Sequence, residues 1–212
     1  SGIDSPVASF QMLKRGVSLS YVHFHSVPAT NRQSIRNVEE IVKILSKYQI
    51  KSQLYMIPLL KIQQKIMAES PSKLWVLLFR RAMVKISSII AEKINAPGLV
   101  TGESIGQVAS QTLSNIRVTS EASDRPIYRP LCGMNKEEIV TMAQEIGTYE
   151  LSIEPYDDCC SFFVPNHPET KANIDKVIDV ESHINLSGLI DKALDETIIS
   201  LIKCPDYLKK EE

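Results

Sequence analysis

Apolar positions along the 212-residue chain alternate between a spacing of two and spacings of three and four. Ser5 suits a helix N-cap and Pro6 the first helical position, so residues 6–15 predict a helix closed by Gly16. The run SLSYVHFH at 18–25 predicts a strand. Ile35, Val38, Val42, Leu45 and Tyr48 then recur at helical spacing, and SQLYMI at 52–57 predicts a second strand ended by Pro58. Residues 59–68 and 72–95 predict helices, the second with Trp75, Phe79, Met83, Ile86, Ile90 and Ile94 along one stripe. A short buried strand at 98–101, a helix at 104–116 and a fourth strand at 127–131 follow. Asn135 with Glu138 forms a capping box for a helix ending near Gly147.

Strand and helix in turn, joined by Gly, Pro, Asn and Ser, predict an α/β fold: an open parallel sheet with helices on both faces. From Thr170 the character becomes helical only. Ile174, Val177 and Ile178, then Ile190, Leu194, Ile198 and Leu201, mark two helices that need the sheet domain to cover them. The expected organisation is a domain over residues 1–171 and a helical extension over 172–212 packed on it.

Charge removes one class of function. Lys and Arg number 24 against 25 Asp and Glu, so the chain carries no basic footprint for strong, non-specific nucleic-acid binding. Cysteines at 132, 159, 160 and 204 make no CxxC pair, which suggests neither a disulfide framework nor a tetrahedral zinc site and points to a reducing cytoplasm. The densest apolar run, 74–79, is too short to span a bilayer, so no membrane partner is expected.

The opening SGIDS supplies the first candidate chemistry. After a strand, such a turn would lie at the carboxyl edge of a parallel sheet, where helix-start N–H groups favour phosphate. Asp4 could orient a hydrated Mg²⁺ and Ser5 could donate to a phosphate oxygen. A plain N-cap turn fits the same five residues. His23 and His25 share a strand face and read as core or pocket histidines, because no further zinc ligand presents itself. Arg80 on an amphipathic helix reads as an ion-paired or solvated cation. Cys159-Cys160 follows Asp157-Asp158, whose charge would raise a thiol pKa, so the pair reads as structural thiols.

The ordered stretches SGIDS, HFHSVPAT at 23–30, LFRRAMVKI at 78–86, TGESIGQVASQT at 101–112, RPLCGMNKEEI at 129–139 and IGTYELSIEPYDDCCSFFVPNHPETK at 146–171 resemble the tRNA 4-thiouridine synthetase family. The resemblance implies a Rossmann-like, adenine nucleotide alpha-hydrolase-like catalytic domain with a pyrophosphatase loop. In such an enzyme ATP with Mg²⁺ activates a tRNA uracil O4 as an adenylate, pyrophosphate leaves, and a persulfide sulfur displaces AMP. Supply of sulfur to the thiamine thiazole is a second implied role.

Residue by residue, the resemblance assigns Gly2, Asp4 and Ser5 to the pyrophosphate end of ATP, His23 and Phe24 to the nucleoside, and Arg80 to a phosphate. It assigns Gly102 and Gln111 to the rest of the nucleotide pocket, and makes Cys160 the catalytic cysteine beside a catalytic Asp4. It implies no protein-bound metal site. tRNA and a cysteine desulfurase or other persulfide donor are the implied partners; a homodimer stays open. The loop has one glycine after Ser1 where the family has two, and the strand that should precede it, the N-terminal ferredoxin-like and THUMP domains and a rhodanese-like domain are not in the chain, so a truncated sequence is expected. Other adenylating enzymes of the same loop (2-thiolating or amidating) and an inert ATP- or RNA-binding fragment are the alternatives.

Overall fold

The computed structural model describes residues 2–155, 163, 165 and 167–204. Its first helix, α1, spans Asp4–Leu13, starting before Pro6 so that Asp4 and Ser5 lie in its first turn. Pro6 is tolerated there because first-turn N–H groups have no intrahelical acceptor. Gly16, at φ 79°, turns the chain after α1. The next elements are β1 (Tyr21–His25), α2 (Gln33–Leu45), β2 (Lys51–Pro58), α3 (Leu60–Glu69) and α4 (Trp75–Lys93). Then come β3 (Leu99–Val100), α5 (Leu113–Ser120), β4 (Ile127–Tyr128), α6 (Lys136–Glu145) and α7 (Tyr149–Ile153). Helices α8 (Ile174–Ile184) and α9 (Ser187–Asp195) and strand β5 (Ile198–Lys203) close the described chain.

The fold is α/β, with helices on both faces of the β1-β2 ladder. β1 and β2 pair in parallel, Tyr21 opposite Leu54 and His25 opposite Pro58. Pro58 ends the ladder where its missing donor does no harm. Side chains alternate across β2: Leu54 and Met56 pack with Val38 and Val42 of α2, whereas Tyr55 and Ile57 join the larger core with α3, α4, α8 and α9. Phe79 and Leu78 of α4 are wholly buried in that core.

Three expectations are corrected. The sheet is neither single nor wholly parallel: one sheet has the order β1-β2-β5, and β3 with β4 forms a separate parallel pair. Residues 104–116 are not one helix. Gly106 adopts φ 75° and its amide bonds to Gln111 O at 3.0 Å, so a loop and a short turn at Ala109–Gln111 precede α5. Thr112 caps α5 by accepting from the Asn115 amide. Finally, Ile198 and Leu201 are not helical. β5 runs antiparallel to β2, placing Ile202 opposite Ser52 and burying it against Leu54 and Met56, a geometry that the β-branched Ile198-Ile199 favours.

Among the described residues, neither β1 nor β3 has a partner on its other edge. A trench runs between them, walled by Tyr21 and Val22 of β1, Val100 of β3, Met12 of α1 and Ala91 and Ile94 at the end of α4.

Candidate functional site

At the carboxyl ends of β1 and β3 this trench continues past Phe24 and Thr101 to Glu103, and the whole cavity has a volume of about 750 Å³. The start of α1 forms one wall. Its N-cap, Ile3, offers no side-chain acceptor, which leaves first-turn amides available to an anion. The loop after β3 packs directly beneath: a Cβ on Gly102 would lie 2.7 Å from Ser5 N and 2.8 Å from Asp4 C. Only glycine permits that approach without moving backbone.

Cations gather around this turn. Lys136, the first residue of α6, lies 3.2 Å from Asp4 Oδ1, held there by the Asn135–Glu138 capping box. Arg80 of α4 donates to Glu103 Oε1 and, at 2.8 Å, to Ser110 Oγ. Glu103 Oε2 accepts from Arg129 Nε at 2.7 Å and from Thr101 Oγ1 at 3.0 Å. Two guanidiniums therefore share one buried carboxylate, and the group keeps net positive charge.

Family comparison decides where such a chain belongs. Residues 1–186 match the family described as thiamine biosynthesis protein (ThiI). The chain belongs to the ThiI family. It is 45% identical over 201 residues to a probable tRNA sulfurtransferase of Acetivibrio thermocellus, covering 95% of this chain and 51% of that protein. Another probable tRNA sulfurtransferase, of Caldanaerobacter subterraneus subsp. tengcongensis, is 44% identical over 197 residues, 93% of this chain and 52% of that one. A crystal structure of a 4-thiouridine synthetase–RNA complex with bound ATP superposes with a TM-score of 0.90 at 39% identity, covering 95% of this chain and 53% of the other. The chain thus spans about half the length of the ThiI relatives it matches.

Within this ThiI chain, Gly2, Asp4, Ser5, Phe24, Arg80, Gly102 and Gln111 all line the one cavity. The Gln111 side chain accepts from the Ser104 amide at 3.4 Å. His23 does not line it: the ring is buried in β1, and its Nε2 has no hydrogen-bond partner among the described residues. Burial, helped by His25, pushes the His23 pKa down to about 3, so the imidazole is neutral. His25 is lowered too, by burial and then by Arg32. Cys159 and Cys160 lie outside the described residues, as do Asp157 and Asp158. Among the described residues no group of three or more His, Cys, Asp or Glu side chains could hold a metal ion, and no helix is long and apolar enough to cross a membrane.

The double arginine divides its labour. One residue along a helix turns the side chain by about 100°, and Arg81, 2% exposed, points into the core. There it donates to Glu181 from Nε at 3.0 Å and Nη2 at 2.7 Å, to Glu121 at 2.8 Å, and to the Val118 carbonyl. Burial opposes its charge, but these bonds and the two carboxylates raise its pKa. Sequence reasoning missed Glu103, Arg129 and Lys136. All three lie inside stretches that resemble the family, TGES and RPLCGMNK, and the only local signal was a charged residue beside a glycine-rich or proline-containing turn.

Proposed function

We propose that the cavity binds ATP and that the chain is the nucleotide-binding, catalytic part of a tRNA-thiolating enzyme. The observation that carries this reading is the contact of Gly102 with the backbone of Asp4 and Ser5, which draws the α1 turn, Arg80 and Gln111 around one space. The start of α1 and the Arg80–Arg129 pair would receive the triphosphate, with Phe24 toward the nucleoside. Lys136, released from Asp4, would add a further cation.

Adenylation spreads negative charge over the α-phosphoryl group, so the residues' task is to position and stabilise. Uridine O4 attacks the α-phosphorus and the bond to the pyrophosphate oxygen breaks. The outer sulfur of a persulfide then attacks C4 and AMP leaves. A cysteine thiolate attacks the carrier's inner sulfur, so that the S–S bond breaks, a disulfide forms between the two cysteines and 4-thiouridine is released. Mg²⁺ bound with ATP would neutralise phosphate charge. Asp4 fits it, being, among the described residues, the one carboxylate of the cavity lining that is not committed to two arginines. We assign Cys160 to the sulfur transfer. The sulfur would come from a cysteine desulfurase or similar persulfide donor, and a role in thiazole sulfur supply belongs to the same reading. With a net charge of −1 the chain itself has little general attraction for tRNA, so recognition would fall to other parts of a longer protein.

Calorimetric titration of the chain with ATP and Mg²⁺ tests the first step. Saturable binding that weakens at least about tenfold in Arg80→Met, the worth of one charge-assisted hydrogen bond, is expected; absence of binding refutes it. In a chain extended to the relatives' length, Cys160→Ser is expected to abolish 4-thiouridine in tRNA, and normal product would remove the cysteine from the reaction.

A further inference from the structure

We propose that Glu103 is a positioning residue that clamps Arg80 and Arg129 as a fixed cationic pair facing the phosphate end of the cavity. The inference rests on the reading of the cavity as an ATP site. Glu103 follows the Gly102 turn, and its side chain is only 5% exposed. Both carboxylate oxygens are used, Oε1 by Arg80 and Oε2 by Arg129 and Thr101. Each arginine has a second anchor on a serine hydroxyl: Arg80 Nη1 on Ser110 at 2.8 Å and Arg129 Nη2 on Ser120 at 2.7 Å. The two cations come from α4 and from just beyond β4, and both donate to this carboxylate.

The structural network in the core balances its charges, Arg81 and Lys85 against Glu181 and Glu121. At Glu103 one carboxylate serves two guanidiniums, so a unit of positive charge is left over at a cavity wall. A guanidinium has five N–H donors, and among the described residues Arg80 commits two of them. The others are free to reach a phosphate. Arginine's planar fork suits phosphate only when its orientation is held, and the clamp supplies that orientation.

The proposal makes an unusual prediction of sign. Counting charge alone, Glu103→Gln removes a negative group from an anion site and should tighten ATP. Loss of the clamp should weaken it instead. We expect about a tenfold rise in the Kd for ATP with Mg²⁺ in Glu103→Gln, the worth of one charge-assisted hydrogen bond. Adenosine affinity should stay unchanged, which a general loss of structure would not allow. Because Glu103 acts through the arginines, Glu103→Gln should add nothing in an Arg80→Met/Arg129→Met background.

If Glu103→Gln does not fold by circular dichroism, Glu103→Asp keeps the charge while drawing the carboxylate back by one methylene, and the same weakening of ATP against unchanged adenosine is expected. A folded variant that binds ATP as well as, or better than, the parent overturns the clamp but leaves the ATP site standing. A parent chain that does not bind ATP overturns both.

Discussion

Gly102→Ala puts the close packing of the α1 turn to a quantitative test. The added methyl would meet Ser5 N at 2.7 Å, Asp4 C at 2.8 Å and Ser5 Cα at 2.9 Å, all of them backbone. No side chain can swing aside. Ordinary contact begins at 3.4 Å, so the two segments must part by 3.4 − 2.7 = 0.7 Å. Overpacking of this kind costs about 1–3 kcal/mol, which for a chain of this size is a fall in Tm of roughly 2–12 °C. The displaced groups are the ones assigned to phosphate, and misplacement approaching 1 Å at such a site is worth up to about 10²-fold. Differential scanning calorimetry and ATP titration read the two effects separately. Gly188→Ala is the control, since nothing lies within 4 Å of its added methyl on α9 and a helical glycine gains about 0.5–1 kcal/mol on becoming alanine. The reasoning fails if Gly102→Ala keeps both the melting temperature and the ATP affinity of the parent.

Arg81→Met strands the buried Glu181 carboxylate with Lys85 at 2.9 Å as its remaining cation, and urea denaturation should show a loss of about 3–5 kcal/mol. Its ATP affinity, measured below the transition, should match the parent, because the residue faces away from the cavity. His23 contributes a pH dependence of defined sign. Its folded pKa of about 3 lies below the unfolded 6.5, so the unfolded chain binds the extra proton between those values and stability, complete above pH 6.5, falls as pH drops. Between pH 7 and 5 the loss should be about 2 kcal/mol, and His23→Gln should flatten the curve. Asn115→Ala removes two amide donations, to Ala109 O at 2.8 Å and Glu169 O at 2.7 Å, and the acceptor for Ala172 N at 3.1 Å. Chemical denaturation should register about 2–3 kcal/mol, since those backbone groups lose their partners.

Local chemistry made much of the fold legible. The α4 stripe, the Pro58 strand end and the Asn135 capping box each depend on residues within a few positions of one another, and each was read in place. The errors fell where distant chain decides. Ile190, Leu194, Ile198 and Leu201 happen to lie at helical spacing, yet the second pair belongs to a strand because β2 offers it an edge and a buried place for Ile202. The helix expected over 104–116 overlooked the freedom of Gly106. Glu103, Arg129 and Lys136 carried only the weak signal of a charge beside a turn, because an ion pair between residues 26 apart, such as Arg129 and Glu103, exists only once strands β3 and β4 lie side by side.

The trench between β1 and β3 has a dynamic consequence. Among the described residues no ladder crosses it, so β3 and β4 share no strand hydrogen bonds with the longer sheet. Their ladder pairs only Leu99 with Ile127 and Val100 with Tyr128, flanked by bonds from Leu99 N to Pro126 O at 2.9 Å and Thr101 N to Tyr128 O at 3.0 Å. Deuterium should therefore enter at Leu99 and Thr101 well before it reaches the middle of β2, marking the Gly102 side of the cavity as the part that breathes first.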